Sequence, residues 1–211
     1  MRIVLADDHT LVLEGLRKLL DEEHEVVGSA EDGRTLLTVA KQYNPDIVVL
    51  DISMPQLNGL EAARQLHQLL PACKIIFLTM HADPIYAKEA FQAGASAFLL
   101  KRSAASELML AIEAVSKDQF YVTPVIAKDV LMPICEESDG VFSTESPLTS
   151  RQREVLQLVA EGKAVKDIAG ILSLSPKTVE FHKTKIMQRL NLHSTVELTK
   201  WAVAHGLASS D

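Results

Sequence analysis

The sequence predicts an α/β unit built on a five-stranded, doubly wound parallel sheet, followed by a small all-α unit. Three observations carry this. Short apolar runs alternate five times with helical patterns over residues 1–116, as expected for β–α units with helices on both faces of a parallel sheet. From Pro147 onward no strand pattern recurs, and one capped helical pattern follows another. The charge divides at the same place. There are 12 Lys/Arg against 22 Asp/Glu before Pro147 and nine against six from it onward, so the net −7 separates into −10 and +3. An acidic front and a mildly basic back suggest two domains with different partners.

The strands are read from β-branched runs and the helices from their apolar stripes. "RIVLA" is the first strand, and Leu13, Leu16, Leu19 and Leu20 make the stripe of the helix after it. "EVVGSA" and "RTLLTVAKQY" form the second unit, and "DIVVL" and "GLEAARQLHQLL" the third. "KIIFLT" precedes "IYAKEAFQA", with Gly94 as a helix stop, and "AFLL" precedes "AASELMLAIEAV". Right-handed crossovers then restrict the topology. Residues 117–146 change character. "VIAKDVLMPI" has near-helical spacing, compatible with a short helix or a packed tether, and "EESDGVFSTESP" reads as a flexible linker.

Composition narrows the class. At 47% hydrophobic and 23% charged residues, the chain resembles an ordinary soluble globular protein. "MRIVLADD" is too short and too soon acidic for a signal peptide. No apolar run approaches the roughly 20 residues that span a bilayer. Cys73 and Cys135 match no zinc or redox spacing, so a reduced cytoplasmic chain is expected.

The chemistry stands at the carboxyl ends of the strands, the edge where open α/β sheets bind ligands. Asp7 and Asp8 follow the first strand and Asp51 the third; the fourth ends in Thr79 and the fifth in Lys101. Taken singly, Asp7 or Asp8 could cap the next helix, Thr79 could be a plain strand residue and Lys101 a surface lysine. Taken together, three carboxylates require a cation, and an all-oxygen set with few neutral partners suits Mg²⁺. A lysine and a hydroxyl beside them suit phosphoryl oxygens, and a carboxylate can act as the nucleophile that becomes an aspartyl phosphate.

With these residues in place, "ADD", "LDISMPQLNG", "LT" and "GASAFLLK", set in the five-unit rhythm, resemble the flavodoxin-like receiver domain of two-component response regulators over residues 1–116. The resemblance implies phosphorylation of Asp51 by a sensor histidine kinase. It implies Mg²⁺ held directly by Asp8 and Asp51, through water by Asp7, and by the backbone carbonyl of Ser53. Lys101 would pair with the phosphate, Thr79 would turn its hydroxyl toward it, and Phe98 matches the aromatic switch position whose ring turns inward. Ser53 and His81 would lie beside the phosphate and tune its lifetime, although His81 also reads as a solvated loop residue. Arg102 stands where many receivers have proline, so no cis peptide is expected there. A phosphohydrolase acting on small substrates would usually carry an acidic residue where Ser53 stands. The resemblance therefore implies no enzyme beyond Mg²⁺-dependent self-phosphorylation and autodephosphorylation at Asp51.

Residues 147–211 read as four helices. Thr149 with Gln152 fits a capping box, Gly162 ends the first helix, Ser175 caps the third with Pro176 at its first position, and Gly206 ends the fourth. On the third helix Val179, Ile186 and Leu190 share one stripe, with His182 and Lys183 at its borders. Lys177, Phe181, Thr184, Lys185 and Gln188 point the other way. Amide, hydroxyl, basic and aromatic groups together suit the major groove, and a solvated basic helix in a bundle is the plain alternative. "LTSRQREVLQLVAEGK", "KDIAGILSLSPKTVEFHKTKI" and "LNLHSTVEL" then resemble a LuxR-type helix-turn-helix domain. The resemblance implies that the helix from Pro176 to Leu190 reads double-stranded DNA through Lys177, Thr178, Glu180, Phe181, Thr184, Lys185 and Gln188. It also implies a dimer contact on the last helix around Trp201 and Val203. Val165, Asp167, His193, Ser194 and Glu180 depart from commonly found residues, so base preference is not carried over. The whole reads as a cytoplasmic bacterial transcription regulator of the NarL/FixJ type, controlled by phosphorylation and forming a homodimer on activation. A phosphorylation-independent DNA-binding protein with a docking module in front is the alternative.

Overall fold

The computed structural model describes residues 1–127 and 148–208. The sheet comprises β1 (Arg2–Ala6), β2 (Glu25–Ala30), β3 (Ile47–Leu50), β4 (Lys74–Thr79), β5 (Ala97–Leu100) and β6 (Tyr121–Val122), all parallel and ordered β2-β1-β3-β4-β5-β6. The connecting helices are α1 (Thr10–Leu20), α2 (Gly33–Tyr43), α3 (Gly59–Leu69), α4 (Pro84–Gln92) and α5 (Ala104–Ser116). Alternation along each strand splits the core in two. Val4, Val48, Leu50, Ile75, Phe77 and Phe98 face α2, α3 and α4. Ile3, Leu5, Ile47, Val49, Ile76 and Leu78 face α1 and α5. Both faces of β3 are sealed, which is why its sequence is a continuous apolar run.

The sheet has six strands, not the expected five. Tyr121 and Val122 pair with Ala97 and Phe98, and a two-residue strand is too short to show a periodicity. Thr123 fastens it. Its N–H donates to the Phe98 carbonyl at 3.0 Å, and its hydroxyl accepts from Leu100 N–H at 3.1 Å and donates to Glu107 at 2.8 Å. Ile126, in the helical turn that follows, is buried in the core, so packing against the sheet continues past residue 116. The rest of the expected linker, with Cys135, lies outside the described residues. Burial pushes the Cys73 thiol up to about 12, which keeps it protonated as a packing group.

The C-terminal unit holds α6 (Ser150–Ala160), α7 (Val165–Leu172), α8 (Pro176–Leu190) and α9 (Thr195–Ala204). The Thr149–Gln152 capping box is present in both directions, and Ser175 accepts from Thr178 N–H with Pro176 behind it. Gly162 and Gly206 take positive φ of 74° and 63° at the helix stops. Val155, Leu158, Ile168, Leu172, Val179, Ile186 and Leu198 form this unit's own core. No peptide bond among the described residues is cis, as Arg102 implied.

Phe77, fully buried in the centre of β4, bears most directly on the sheet. Phe77→Ala is expected to lower unfolding free energy by about 3–5 kcal/mol, measured by denaturant titration.

Candidate functional site

Four strand ends deliver one pocket. Asp51 follows β3 and is only 3% exposed. Its Oδ1 accepts from Ile52 N–H at 2.7 Å, and its Oδ2 lies 2.8 Å from the Lys101 Nζ after β5. The same ammonium lies 2.6 Å from Asp7 Oδ2, so one cation bridges two buried carboxylates. Burial, above all, raises the Asp51 pKa, and Lys101 works against that rise. Burial disfavours the Lys101 charge, but Asp51 and Asp7 outweigh it and the net shift is upward. Thr79 ends β4 fully buried, and its Oγ1 accepts from His81 N–H at 3.3 Å.

Asp7 does not cap α1. Its Oδ1 accepts from His9 N–H at 2.9 Å, and His9, whose side chain makes no cap, stands at the N-cap position. The His9 Nδ1 lies 3.0 Å from Asp7 Oδ1 and 2.8 Å from Asp8 Oδ1. These three ligand atoms fall within 4.8 Å of one another, and the hydrogen bond to Asp7, with the charge of Asp8, raises the His9 pKa. Sequence reasoning missed His9, whose adjacency to two aspartates was the available signal. Ser53 and His81, distant in sequence, meet at 2.8 Å through Oγ and Nε2, so His81 is not merely a solvated loop residue. The His81 ring also lies 4.5 Å from that of Tyr86 on α4. Phe98 on β5 is fully buried and pairs with Val122 of β6.

The loop from Asp51 to α3 is tightly held. A Cβ on Gly59 would sit 1.9 Å from the Asp51 carbonyl oxygen, so only glycine lets α3 start this close to the pocket.

On α8, Val179 and Ile186 are buried while Lys177, Glu180, Thr184, Lys185 and Gln188 are exposed. Phe181 is 58% exposed, with the Lys185 ammonium 5.9 Å from its ring centroid. Thr178 is half-buried and within 2.8 Å of the Ser175 hydroxyl, at the cap of the helix rather than on its open face. Trp201 is half-buried and stacks on His205 at 3.8 Å.

The two units pack through α3 and α6. Glu61, only 1% exposed, accepts from Arg153 Nε at 2.8 Å and from the Ser150 hydroxyl. Burial opposes its charge, but Ser150, Arg153 and Arg64 hold its pKa below the ordinary carboxylate range. Arg34 on α2 reaches Glu154 at 2.6 Å. Gly206, after α9, lies against the Tyr86 ring, where a Cβ would come within 2.1 Å. A cleft of about 510 Å³ between the units is lined by Asp8 and Ser53 on one side and by Glu161, Val203 and Leu207 on the other. The receiver-side contacts fall on α6 and on the end of α9, and the outward face of α8 stays open.

A parallel sheet with a lysine-bridged acidic pocket, joined to a helix-turn-helix unit with an open polar face, defines a signal-receiving, DNA-binding regulator. The family model for the response regulator receiver domain matches residues 3–113, and that for bacterial regulatory proteins of the luxR family matches 146–202. The chain is 34% identical to the response regulator UvrY of Escherichia coli over 100% of its length and 97% of that protein. It is 38% identical to the oxygen regulatory protein NreC of Staphylococcus epidermidis, over 96% of the chain and 97% of that protein. Among solved structures, RcsB of Salmonella typhimurium superposes with a TM-score of 0.65 at 28% identity, covering 97% of this chain and 98% of that one. A structure of two RcsB dimers bound to two parallel DNAs matches with a TM-score of 0.60 at 27% identity, covering 97% and 98%. The chain belongs to the two-component response regulators of the NarL/FixJ type, with a receiver domain and a LuxR-type DNA-binding domain.

The buried Glu61–Arg153 pair marks the seam between the units. Arg153→Ala leaves the buried Glu61 charge to Arg64 and Ser150, both weaker substitutes for the lost 2.8 Å bond across the seam, so the units are expected to part more readily. Small-angle scattering should show a larger radius of gyration than for the parent chain; an unchanged radius would mean that other contacts hold the seam.

Proposed function

We propose that this response regulator takes a phosphoryl group on Asp51 from a phosphohistidine of a sensor kinase and thereby changes how its DNA-binding domains pair on DNA. The observation that carries this is the Lys101 ammonium shared between Asp51 and Asp7 in a nearly sealed pocket. An Asp51 oxygen attacks phosphorus, the new P–O bond forms as the P–N bond breaks, and the donor imidazole, protonated beforehand on its other nitrogen, departs in its neutral form. Lys101 then transfers its contact from the carboxylate to phosphoryl oxygen, and Thr79 offers its hydroxyl to another.

The donor set fits Mg²⁺. Asp8 and Ser53 line the cleft and Asp7 and Asp51 are buried, and their carboxylates with the Ser53 carbonyl are all oxygen ligands of the kind this ion prefers. When bound, the ion would neutralise charge on the transferring group. Asp8, Asp51 and Ser53 would hold it directly, and Asp7 through water.

The open face of α8 bears on what phosphorylation controls. Lys177, Phe181, Thr184, Lys185 and Gln188 are accessible with the units packed together, so uncovering the reading helix is not required. Next to the last helix, the receiver covers Gly206, just past α9, at Tyr86, and Val203 lines the cleft between the units. The controlled step is therefore pairing of two chains through the last helix, with two recognition helices meeting two half-sites. Activation shifts a pre-existing equilibrium between packed and parted units. A regulator that binds chromosomal DNA works where that DNA is, so this reading puts it in the bacterial cytoplasm.

Incubation with Mg²⁺ and acetyl phosphate should add one phosphoryl group to the parent chain, seen by intact mass, and none to Asp51→Asn. No gain in the parent, under conditions that modify a control receiver, overturns the proposal. On DNA, Lys185→Ala should weaken binding across sequences and flatten the salt dependence. Gln188→Ala should instead cost about 1–3 kcal/mol at selected base positions, measured by titrating base-substituted duplexes.

A further inference from the structure

The loop that joins β3 to α3 satisfies only part of its own backbone. Met54 N–H and Gly59 N–H both donate to the Ile52 carbonyl, and Leu57 N–H donates to Pro55. Three further groups are satisfied by the DNA-binding domain. Gln157 on α6 donates through Nε2 to the Met54 carbonyl at 2.9 Å, and its Oε1 accepts from Asn58 N–H at 2.8 Å. Glu161, one turn further on, accepts from Gln56 N–H at 2.9 Å and from Gln157 Nε2 at 2.8 Å. Gln157 is only 1% exposed, so one buried amide spans both ends of this loop. Gln56 itself sits at a φ of +64°, a left-handed conformation that a non-glycine residue keeps only when its surroundings hold it.

Ser53 lies immediately before this braced segment and Asp51 two residues earlier. The loop is thus fixed at one end by the Asp51–Gly59 approach and along its length by α6. We infer that Gln157, with Glu161, is a positioning pair for the phosphoacceptor loop. It makes the geometry around Ser53 and the packing of the DNA-binding domain two sides of one equilibrium. This inference rests on the proposed phosphorylation of Asp51. A phosphoryl group that draws the Ser53 end of the loop toward the pocket strains the bonds to Gln157 and favours release of α6. By reciprocity, release of α6 frees the loop to adopt the phosphorylated geometry. Leaving the bonds broken with the units still packed would strand a buried amide and three backbone groups, so parting is the favoured response.

The test uses the full chain with Gln157→Leu and, separately, Glu161→Ala, neither of which touches the acidic pocket's charged groups. Acetyl phosphate with Mg²⁺ serves as donor, and intact mass follows the rate of phosphoryl gain. Scattering follows parting of the units, and circular dichroism checks that helix content is kept. Both variants are expected to gain the phosphoryl group faster than the parent, by roughly fivefold or more for Gln157→Leu, the low end of ordinary coupling between sites. Both should also be expanded before phosphorylation to the size that the parent reaches only afterwards. A local defect in α6 would leave the rate at Asp51 unmoved. Rates within about twofold of the parent in the folded variants overturn the inference while leaving the proposed function standing. A parent chain that takes up no phosphoryl group overturns both.

Discussion

The pocket depends on a single ammonium group. Asp7 and Asp51 stand at the ends of neighbouring strands, nearly sealed from water, where two carboxylates would repel and at least one would take up a proton. Lys101 relieves this because the fold brings the end of β5 within salt-bridge distance of both. The arrangement is tense by construction. The Asp51 carboxylate is disfavoured by burial and favoured chiefly by Lys101, with Thr79 and Ile52 N–H beside it, so a group that offers Lys101 a richer set of oxygens competes for it directly. In the proposed reaction, Asp51 is held by the same contact that its modification would rearrange.

The seam between the domains follows the same logic. Its charges are buried and paired in both directions: Glu61 of the acidic domain with Arg153, and Arg34 of that domain with Glu154 of the basic one. The overall charge difference between the domains therefore does not explain the docking geometry. Hydrogen-bonded pairs at fixed places do, together with the Gln157 amide on the loop after Asp51. Buried polar contacts of this kind add modestly to net stability but are costly to break one at a time, which suits a junction that is either shut or parted.

The open face of α8 changes how control is understood. A receiver that covered the reading helix would regulate by hindrance. Here the residues that face the receiver are on α6 and just past α9, and the outward face of α8 is exposed, which is why the proposed control acts on pairing of two chains. His81 and Tyr86 lie on the line between the pocket and that end: His81 meets Ser53 and is close to the Tyr86 ring, which Gly206 abuts.

The elements and the chemistry at their ends can be read from the order of residues. The five strand–helix units, the caps at Thr149 and Ser175, the stops at Gly162 and Gly206, the strand-end carboxylates with Lys101, and the outward face of α8 were all legible. Each is a local property, written in a few consecutive residues or in one period. The remaining features come from packing between distant segments. The sixth strand is two residues long and exists because Thr123 finds Leu100 and Glu107. The burial of Phe98 depends on what packs over it. The contact of Gln157 with the loop after Asp51 joins residues 99 positions apart, and neither partner's neighbours in the chain announce it. Periodicity reports how a segment folds on itself. Which segments then meet is settled by packing and by the need of each buried polar group for a partner, and no stretch of sequence states that on its own.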